Sequence, residues 1–227
     1  MKTENQASGS EKHGPYVPAL GVRALTRLYD PLLRLTLREE EFKGRLIAVA
    51  RIQAGHSVLD LGCGTGTLAL MLKCSEPQAV VTGIDGDPEV LAIARKKVAA
   101  AGVDVQFREG LAYQLPFAHS SFDRVLSSLV FHHLTTADKV RSLEEVFRVL
   151  RVGGEVHIAD WGRPHNAVMT VASLGIRLLD GTETTRANLN GEMPTLIENA
   201  GFGAVEEHYR GMTIFGTLSL YSGVRPG

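Results

Sequence analysis

The chain has 227 residues, 44% of them hydrophobic, with 24 Lys and Arg against 25 Asp and Glu for a net charge of -1. This suits a globule with one sizeable core, and the near balance of charge exerts no long-range pull on a polyanion, so a dedicated nucleic-acid partner is not expected. Cys63 and Cys74 form neither a disulfide framework nor a zinc pattern, so no metal site is expected, and a polar N-terminus without any bilayer-length apolar window predicts a cytoplasmic protein.

Residues 1–14 are rich in Ser, Gly, Gln, Glu and Lys and are expected to be disordered, with a single domain over 15–227. From Tyr16 to about Arg51 apolar residues recur at helical spacing: Leu25, Leu28, Leu32 and Leu35, then Phe42, Leu46, Ile47 and Val49. That period predicts a helical cap over 15–51, with Pro31 opening one of its pieces. The charge runs Arg38-Glu39-Glu40-Glu41 and Arg95-Lys96-Lys97 read as solvated sides of helices.

Beyond Gly55 the texture alternates. Ser57 to Leu61, Ala79 to Asp85, Asp104 to Arg108, Arg124 to Ser128 and Glu155 to Asp160 are short runs rich in Val, Ile and Leu, which predict strands. Helices are predicted between them at Thr67 to Lys73, Pro88 to Ala101 and Thr136 to Leu150. Asp87 is placed to cap the second, and Gly102 and Gly153 read as helix stops. Such alternation predicts a doubly wound α/β sheet, helices on both faces, with its ligand site off the carboxyl ends of the strands.

The pattern loosens over 163–200, a candidate lid or substrate region: a helix at Ala167 to Leu179, a polar stretch from Asp180 to Asn190, and a helix at Pro194 to Ala200 stopped by Gly201. Its apolar residues, Met169, Leu174, Ile176 and Leu178, are read mostly as burying the lid on the sheet. Residues 201–227 read as a final strand pair, Ala204 to Arg210 and Thr213 to Tyr221, turning at Gly211.

The 55–160 core carries the chemistry. Val58-Leu59-Asp60-Leu61-Gly62-Cys63-Gly64-Thr65-Gly66 places a buried strand before a glycine loop that opens a helix, and the next strand ends in Asp85. Glycines let the backbone approach a ligand, and the helix N-terminus favours an anion. The spacing is Gly-x-Gly-x-Gly, which points away from dinucleotides, and Asp60 would sit close to a bound pyrophosphate but favours an ammonium group. Asp85 is placed to accept both hydroxyls of a ribose. Cys63 is read as a small residue lining the loop, since no partner for thiol catalysis is apparent.

VLDLGCGTG, GIDGDPEVL, QLPFAHSSFDRVLSSLVFHHL and FRVLRVGGEVHIAD together resemble the class I S-adenosylmethionine-dependent methyltransferases, in particular the group that includes quinone-biosynthesis C-methyltransferases. The resemblance implies a Rossmann-like, seven-stranded, mostly parallel sheet with a reversed final strand. It implies methyl transfer to a small-molecule acceptor, with S-adenosylhomocysteine released. It further implies that Gly62, Gly64 and Gly66 wrap the methionine part of the cofactor, that Asp85 holds the ribose, and that Gly86 lies beside the adenine. Leu111 and Ala112 would close over the purine, Ser128 would face the sulfonium, and Tyr29 would cover the cofactor from the cap. Many relatives carry Gly-Asp-Ala where this chain has Gly110-Leu111-Ala112, so an acceptor for the adenine amino group is missing, worth about 1 kcal/mol.

His132 and His133 follow the fourth strand, where a methyl acceptor would sit, and are the candidate proton acceptors. Asp160, Trp161 and Arg163 line the same edge; for Trp161 and His157 a packing role is expected. Two other readings remain open at this level: a cofactor-binding protein without turnover, and a nicotinamide-dependent oxidoreductase disfavoured by the glycine spacing and Asp60.

Overall fold

The computed structural model describes residues 39–227. The expected disorder of 1–14, most of the helical cap with Pro31, and Tyr29 lie outside the described residues.

The first described element is α1 (Glu39–Ala50), which buries Phe42, Leu46 and Ala50. Its charge run is not simply a solvated face: Glu39 and Lys43 are buried and paired, one helical turn apart, while Glu41 and Arg45 pair near the surface. Then come β1 (Ser57–Leu61), α2 (Thr67–Ser75), β2 (Val80–Asp85), α3 (Pro88–Ala100), β3 (Gln106–Glu109), β4 (Phe122–Ser128), a 3-10 turn (Phe131–His133), α4 (Thr136–Val149) and β5 (Leu150–Trp161). The chain closes with α5 (Ala167–Asp180), α6 (Thr182–Asn190), α7 (Met193–Asn199), β6 (Gly203–Thr213) and β7 (Gly216–Val224).

The strands form one sheet of seven in the order β3-β2-β1-β4-β5-β7-β6. β1 to β5 pair in parallel, with Leu61 beside Ile84 on one flank and Ser127 on the other. β7, the reversed final strand, inserts antiparallel between β5 and β6. Because side chains alternate along a strand, each central strand feeds two cores. Val58 and Leu126 join Phe42, Leu46, Leu68 and Leu72 on the face covered by α1 and α2. Leu59, Leu61 and Val125 join Leu143, Val146 and Ile197 on the opposite face, under α4 and α7.

Local signals acted as expected at several ends. Asp87 caps α3, its carboxylate accepting from the Glu89 amide at 2.8 Å with Pro88 beside it, and Gly102 follows the helix at φ 66°. Three expectations need correction. Asp180 to Asn190 is not a loose polar stretch: Thr182–Asn190 is helical and buries Thr185, Ala187, Asn188 and Leu189. The final hairpin turns between Thr213 and Gly216, where the Thr213 hydroxyl accepts from the Phe215 and Gly216 amides, so Gly211 lies within β6. Gly153 lies inside β5 at φ 76°, not at a helix end. In α5, Met169 and Ile176 are buried as expected, but Leu174 and Leu178 are exposed.

Strand order reverses between β1 and β4, the point off whose carboxyl ends such sheets place their ligand crevice. The glycine loop leaves β1 on one side of it, and Leu129 and Val130 leave β4 on the other. No helix among the described residues is long and apolar enough to cross a membrane.

Candidate functional site

The loop after β1 is held in place by its own backbone. The amides of Gly62 and Cys63 both donate to the Ile84 carbonyl at 2.9 Å, and the Gly66 amide donates to the Cys63 carbonyl at 2.9 Å. Gly62, Gly64 and Gly66 have φ of 68°, 51° and 77°, a region that L side chains adopt only at a cost. The three differ in what surrounds them. A Cβ at Gly62 would overlap Val130 Cγ2, and one at Gly66 would come within 2.9 Å of Ala94 Cβ. One at Gly64 would meet nothing within 4 Å, so its α-carbon faces the open crevice.

Asp85 ties the loop to the next strand. Its carboxylate accepts from the Gly64 amide at 2.9 Å and the Asp87 amide at 3.0 Å, and two carboxylate oxygens hold further lone-pair capacity for a ligand hydroxyl. Burial raises its pKa, opposed by the amides of Asp87 and Gly64. Gly86 follows in the turn, and the Gly110 amide donates to the Asp85 carbonyl at 3.0 Å. That bond brings Leu111 and Ala112 beside the end of β2, where Leu111 bridges to Gln114 and Ala112 packs on the core.

Asp60 is 1% exposed, and its Oδ2 has no hydrogen-bond partner among the described residues. Burial pushes its pKa up to about 7, against the charge of Lys43 and a hydrogen bond from the Ala69 amide. Ser128 Oγ, at the end of β4, is likewise buried without a partner. Burial pushes the Cys63 thiol up, with the Asp60 and Asp85 carboxylates adding to the effect, so the thiol is inert at neutral pH.

These groups fit S-adenosylmethionine. An unpaired buried carboxylate oxygen suits the ammonium of its methionine part, the open Gly64 face admits its backbone, and Asp85 retains capacity for a ribose.

Across the crevice the side chains dominate. Asp160, fully buried at the end of β5, accepts from the amides of Trp161 at 2.7 Å, Val130 at 3.1 Å and His132 at 3.4 Å, and its Oδ1 lies 2.8 Å from His132 Nδ1. Burial works to raise its pKa, yet the His132 ring, the Trp161 amide and Lys139 hold it below the usual carboxylate range. The His133 ring packs against His132 with centroids 3.9 Å apart and planes tilted by 44°. Burial, then the neighbouring His132, push the His133 pKa down to about 3. Leu129, between β4 and this turn, holds φ at 58°, a strained conformation for a branched side chain and a mark of a constrained site.

Trp161 is core, as expected, 4% exposed and edge-on to His132 and Phe215. His157 is sheet-bound, with Nε2 3.0 Å from Glu155, although its Nδ1 has no partner.

Sequence reasoning missed two side chains at this edge. Asp180, the last residue of α5, reaches His132 and His133, and Lys139 donates to the carbonyls of Leu134 and Thr184, both at 2.6 Å, tying the 3-10 turn to α6. Neither carries a local signal. A buried lysine at a polar-looking helix position announces itself only once α6 is known to pack over it.

Comparison with known proteins agrees with this geometry. Residues 58–154 match the family described as a methyltransferase domain. The chain is 33% identical over 170 residues to an uncharacterised methyltransferase of Synechocystis, covering 75% of this chain and 77% of that one. It is 40% identical over 138 residues to demethylmenaquinone methyltransferase of Thermus thermophilus, covering 60% of this chain and 62% of that relative's length. Among solved structures, phosphoethanolamine N-methyltransferase 2 of Haemonchus contortus, in complex with phosphomonomethylethanolamine and S-adenosylhomocysteine, superimposes with a TM-score of 0.67 at 17% identity, over 82% of this chain and 53% of that one. A methyltransferase from Aquifex aeolicus does so with a TM-score of 0.65 at 20% identity, over 88% and 97%. At such identities these two structures speak for the fold. The chain belongs to the S-adenosylmethionine-dependent methyltransferases of class I.

Proposed function

We propose that this protein transfers the methyl group of S-adenosylmethionine to a small, largely apolar molecule, as one unit spanning 15–227 in the cytoplasm, with 163–200 as its lid and no dedicated nucleic-acid partner. The observation that carries the reading is the Asp60 carboxylate oxygen that finds no partner among the described residues, on the strand that leads into Gly64, whose outer face is open and whose amide donates to Asp85. The relatives named demethylmenaquinone methyltransferases support a quinol-type ring as the acceptor class.

When bound, the cofactor supplies a sulfonium methyl for in-line displacement, so alignment provides much of the acceleration. The chain's own residues set that alignment. Asp60 holds the ammonium, the Gly62, Cys63, Gly64 and Gly66 backbone lies along the methionine part, Asp85 fixes the ribose, and Gly86, Leu111 and Ala112 enclose the adenine. Ser128 offers its unpaired hydroxyl on the sulfonium side.

Where the acceptor must lose a proton, His132 and His133 are the groups placed to take it. His133 is held neutral, with a lone pair free, and Asp160 orients His132 and stabilises positive charge on the pair.

Calorimetry with S-adenosylhomocysteine tests the donor half: binding at micromolar ligand is expected, and its absence overturns the assignment. Turnover on a panel of phenols, quinols and amines tests the acceptor half. Binding without transfer to any of them would make the chain a cofactor-binding protein instead.

A further inference from the structure

The lid brings a third donor group to the two histidines. The Asp180 side chain is 10% exposed, with Oδ2 3.8 Å from His132 Nε2 and Oδ1 3.7 Å from His133 Nδ1. Both separations are too long for hydrogen bonds, and no other donor reaches this carboxylate among the described residues. A carboxylate this enclosed is costly unless it is paired or coordinates a cation.

The imidazoles are set up as ligands. Asp160 accepts from His132 Nδ1 at 2.8 Å, which fixes the proton on that nitrogen and leaves the Nε2 lone pair toward Asp180. A carboxylate behind a histidine is the usual outer partner of a metal-binding ring.

The donor atoms of His132, His133 and Asp180 all lie within 4.8 Å of one another. Two ligands at about 2.0–2.2 Å from a shared ion stand at most about 4.3 Å apart. The carboxylate-to-imidazole separations already meet that limit, and a small turn of the 27% exposed His133 side chain closes any remaining gap.

We propose that His132 Nε2, His133 Nδ1 and the Asp180 carboxylate bind a divalent transition-metal ion, with Asp160 orienting His132 from behind. Two imidazoles and a carboxylate suit zinc, iron or cobalt and not magnesium, which takes oxygen ligands. Three protein donors leave a coordination position open. Resting on the methyl-transfer reading, that position faces the acceptor side and takes an acceptor oxygen. A metal ion and a transferred proton compete for the same two lone pairs, so metal occupancy replaces the imidazoles as the means of acidifying that oxygen.

The test uses the full chain, stripped with a chelator and titrated with Co2+, following the visible absorption of the ion in a protein site. Saturation at about one ion per chain and bleaching by Zn2+ are expected. Asp180→Ala and His133→Ala should each weaken Co2+ binding by at least about tenfold. S-adenosylhomocysteine binding, measured in parallel by calorimetry, should stay within about twofold of the parent and certifies that each variant is folded. The partly exposed His133 provides the second variant if Asp180→Ala disturbs the lid.

No saturable Co2+ signal in the parent, or an unchanged signal in both variants, overturns the metal site and leaves the methyltransferase assignment standing. Loss of S-adenosylhomocysteine binding in the parent overturns the latter instead.

Discussion

On one side of the crevice the chain presents backbone, and on the other it presents buried side chains. The donor side, Gly62 to Gly66 with Asp85, is a loop in which every second residue is a glycine at positive φ, with the Gly62, Cys63 and Gly64 amides tied to β2. The proposed acceptor side gathers His132 and His133 from the 3-10 turn after β4, Lys139 from α4, Asp160 from β5 and Asp180 from α5, and holds them by charge and hydrogen bonds, all but His133 largely buried. A backbone cradle tolerates no change of residue at a few points but is otherwise insensitive to composition. A side-chain network can be retuned residue by residue, and each retuning changes a charge. The first arrangement suits a constant ligand and the second a variable one.

If that contrast is right, the greatest stability loss lies on the acceptor side. Replacing Asp160 with Ala strands the Val130, Trp161 and His132 groups that it accepts from. Breaking so buried an arrangement is expected to cost about 3–5 kcal/mol in chemical denaturation. A cost under about 1 kcal/mol would mean that the network is not what holds this edge together.

On the donor side two neighbouring glycines should separate folding from binding. Gly62→Ala adds the strain of positive φ, about 1–2 kcal/mol, to an overlap with Val130 worth about 1–3 kcal/mol. Gly64→Ala carries only the strain, because nothing lies within 4 Å of its Cβ. Its main effect is expected on S-adenosylhomocysteine, with affinity falling by about tenfold or more as the methyl group enters ligand space. Equal effects of the two on stability and on affinity would erase the distinction.

The same contrast explains what could be read from sequence. β1 was bounded correctly at Ser57–Leu61 because an apolar run ends there in glycines, and Asp85, Asp87 and Pro88 punctuate the next turn locally. The reversed β7 came with the family resemblance. Asp180 and Lys139 were not legible, because their roles depend on α6 folding over the 3-10 turn. The polar composition of Thr182–Asn190 conceals the burial of Thr185 and Asn188. The hairpin turn was misplaced because Gly211 is the obvious breaker, while the real turn is closed by a Thr213 side chain.

Asp60 offers a sharper probe of the donor side, since among the described residues one oxygen of its buried carboxyl lacks a partner. Its pKa of about 7 means that below neutrality the ligand-free protein carries it protonated. Pairing with an ammonium requires the ionised form, so binding must expel that proton. Affinity for S-adenosylhomocysteine is therefore expected to rise by up to about tenfold per pH unit on approaching pH 7 from below, then level off. Calorimetry in buffers of differing ionisation enthalpy should register the released proton, and Asp60→Asn should abolish both signals. Stability is a poorer readout. Raised above the ordinary carboxyl value of 3.8, the Asp60 pKa makes stability fall as pH rises from about 4 to 7. The lowered pKa of His133 makes stability rise from about 3 to 6.5 in the opposite sense.

The smallest effect tests whether the donor side is as constant as its backbone suggests. Leu111 stands where many relatives carry an aspartate, and it sits in a tight turn, bridged to Gln114 and close to the end of β2. Leu111→Asp restores an acceptor for the adenine amino group while leaving the Ala112 amide in place. One hydrogen bond to a neutral donor is worth about 1 kcal/mol net, so a gain of about fivefold in S-adenosylhomocysteine affinity is expected. The S-inosylhomocysteine analogue, which lacks that amino group, should gain nothing. If both ligands gain equally, the change acts through loop packing or charge. If neither gains, the adenine is held by shape alone, and the departure at Leu111 is neutral for cofactor binding.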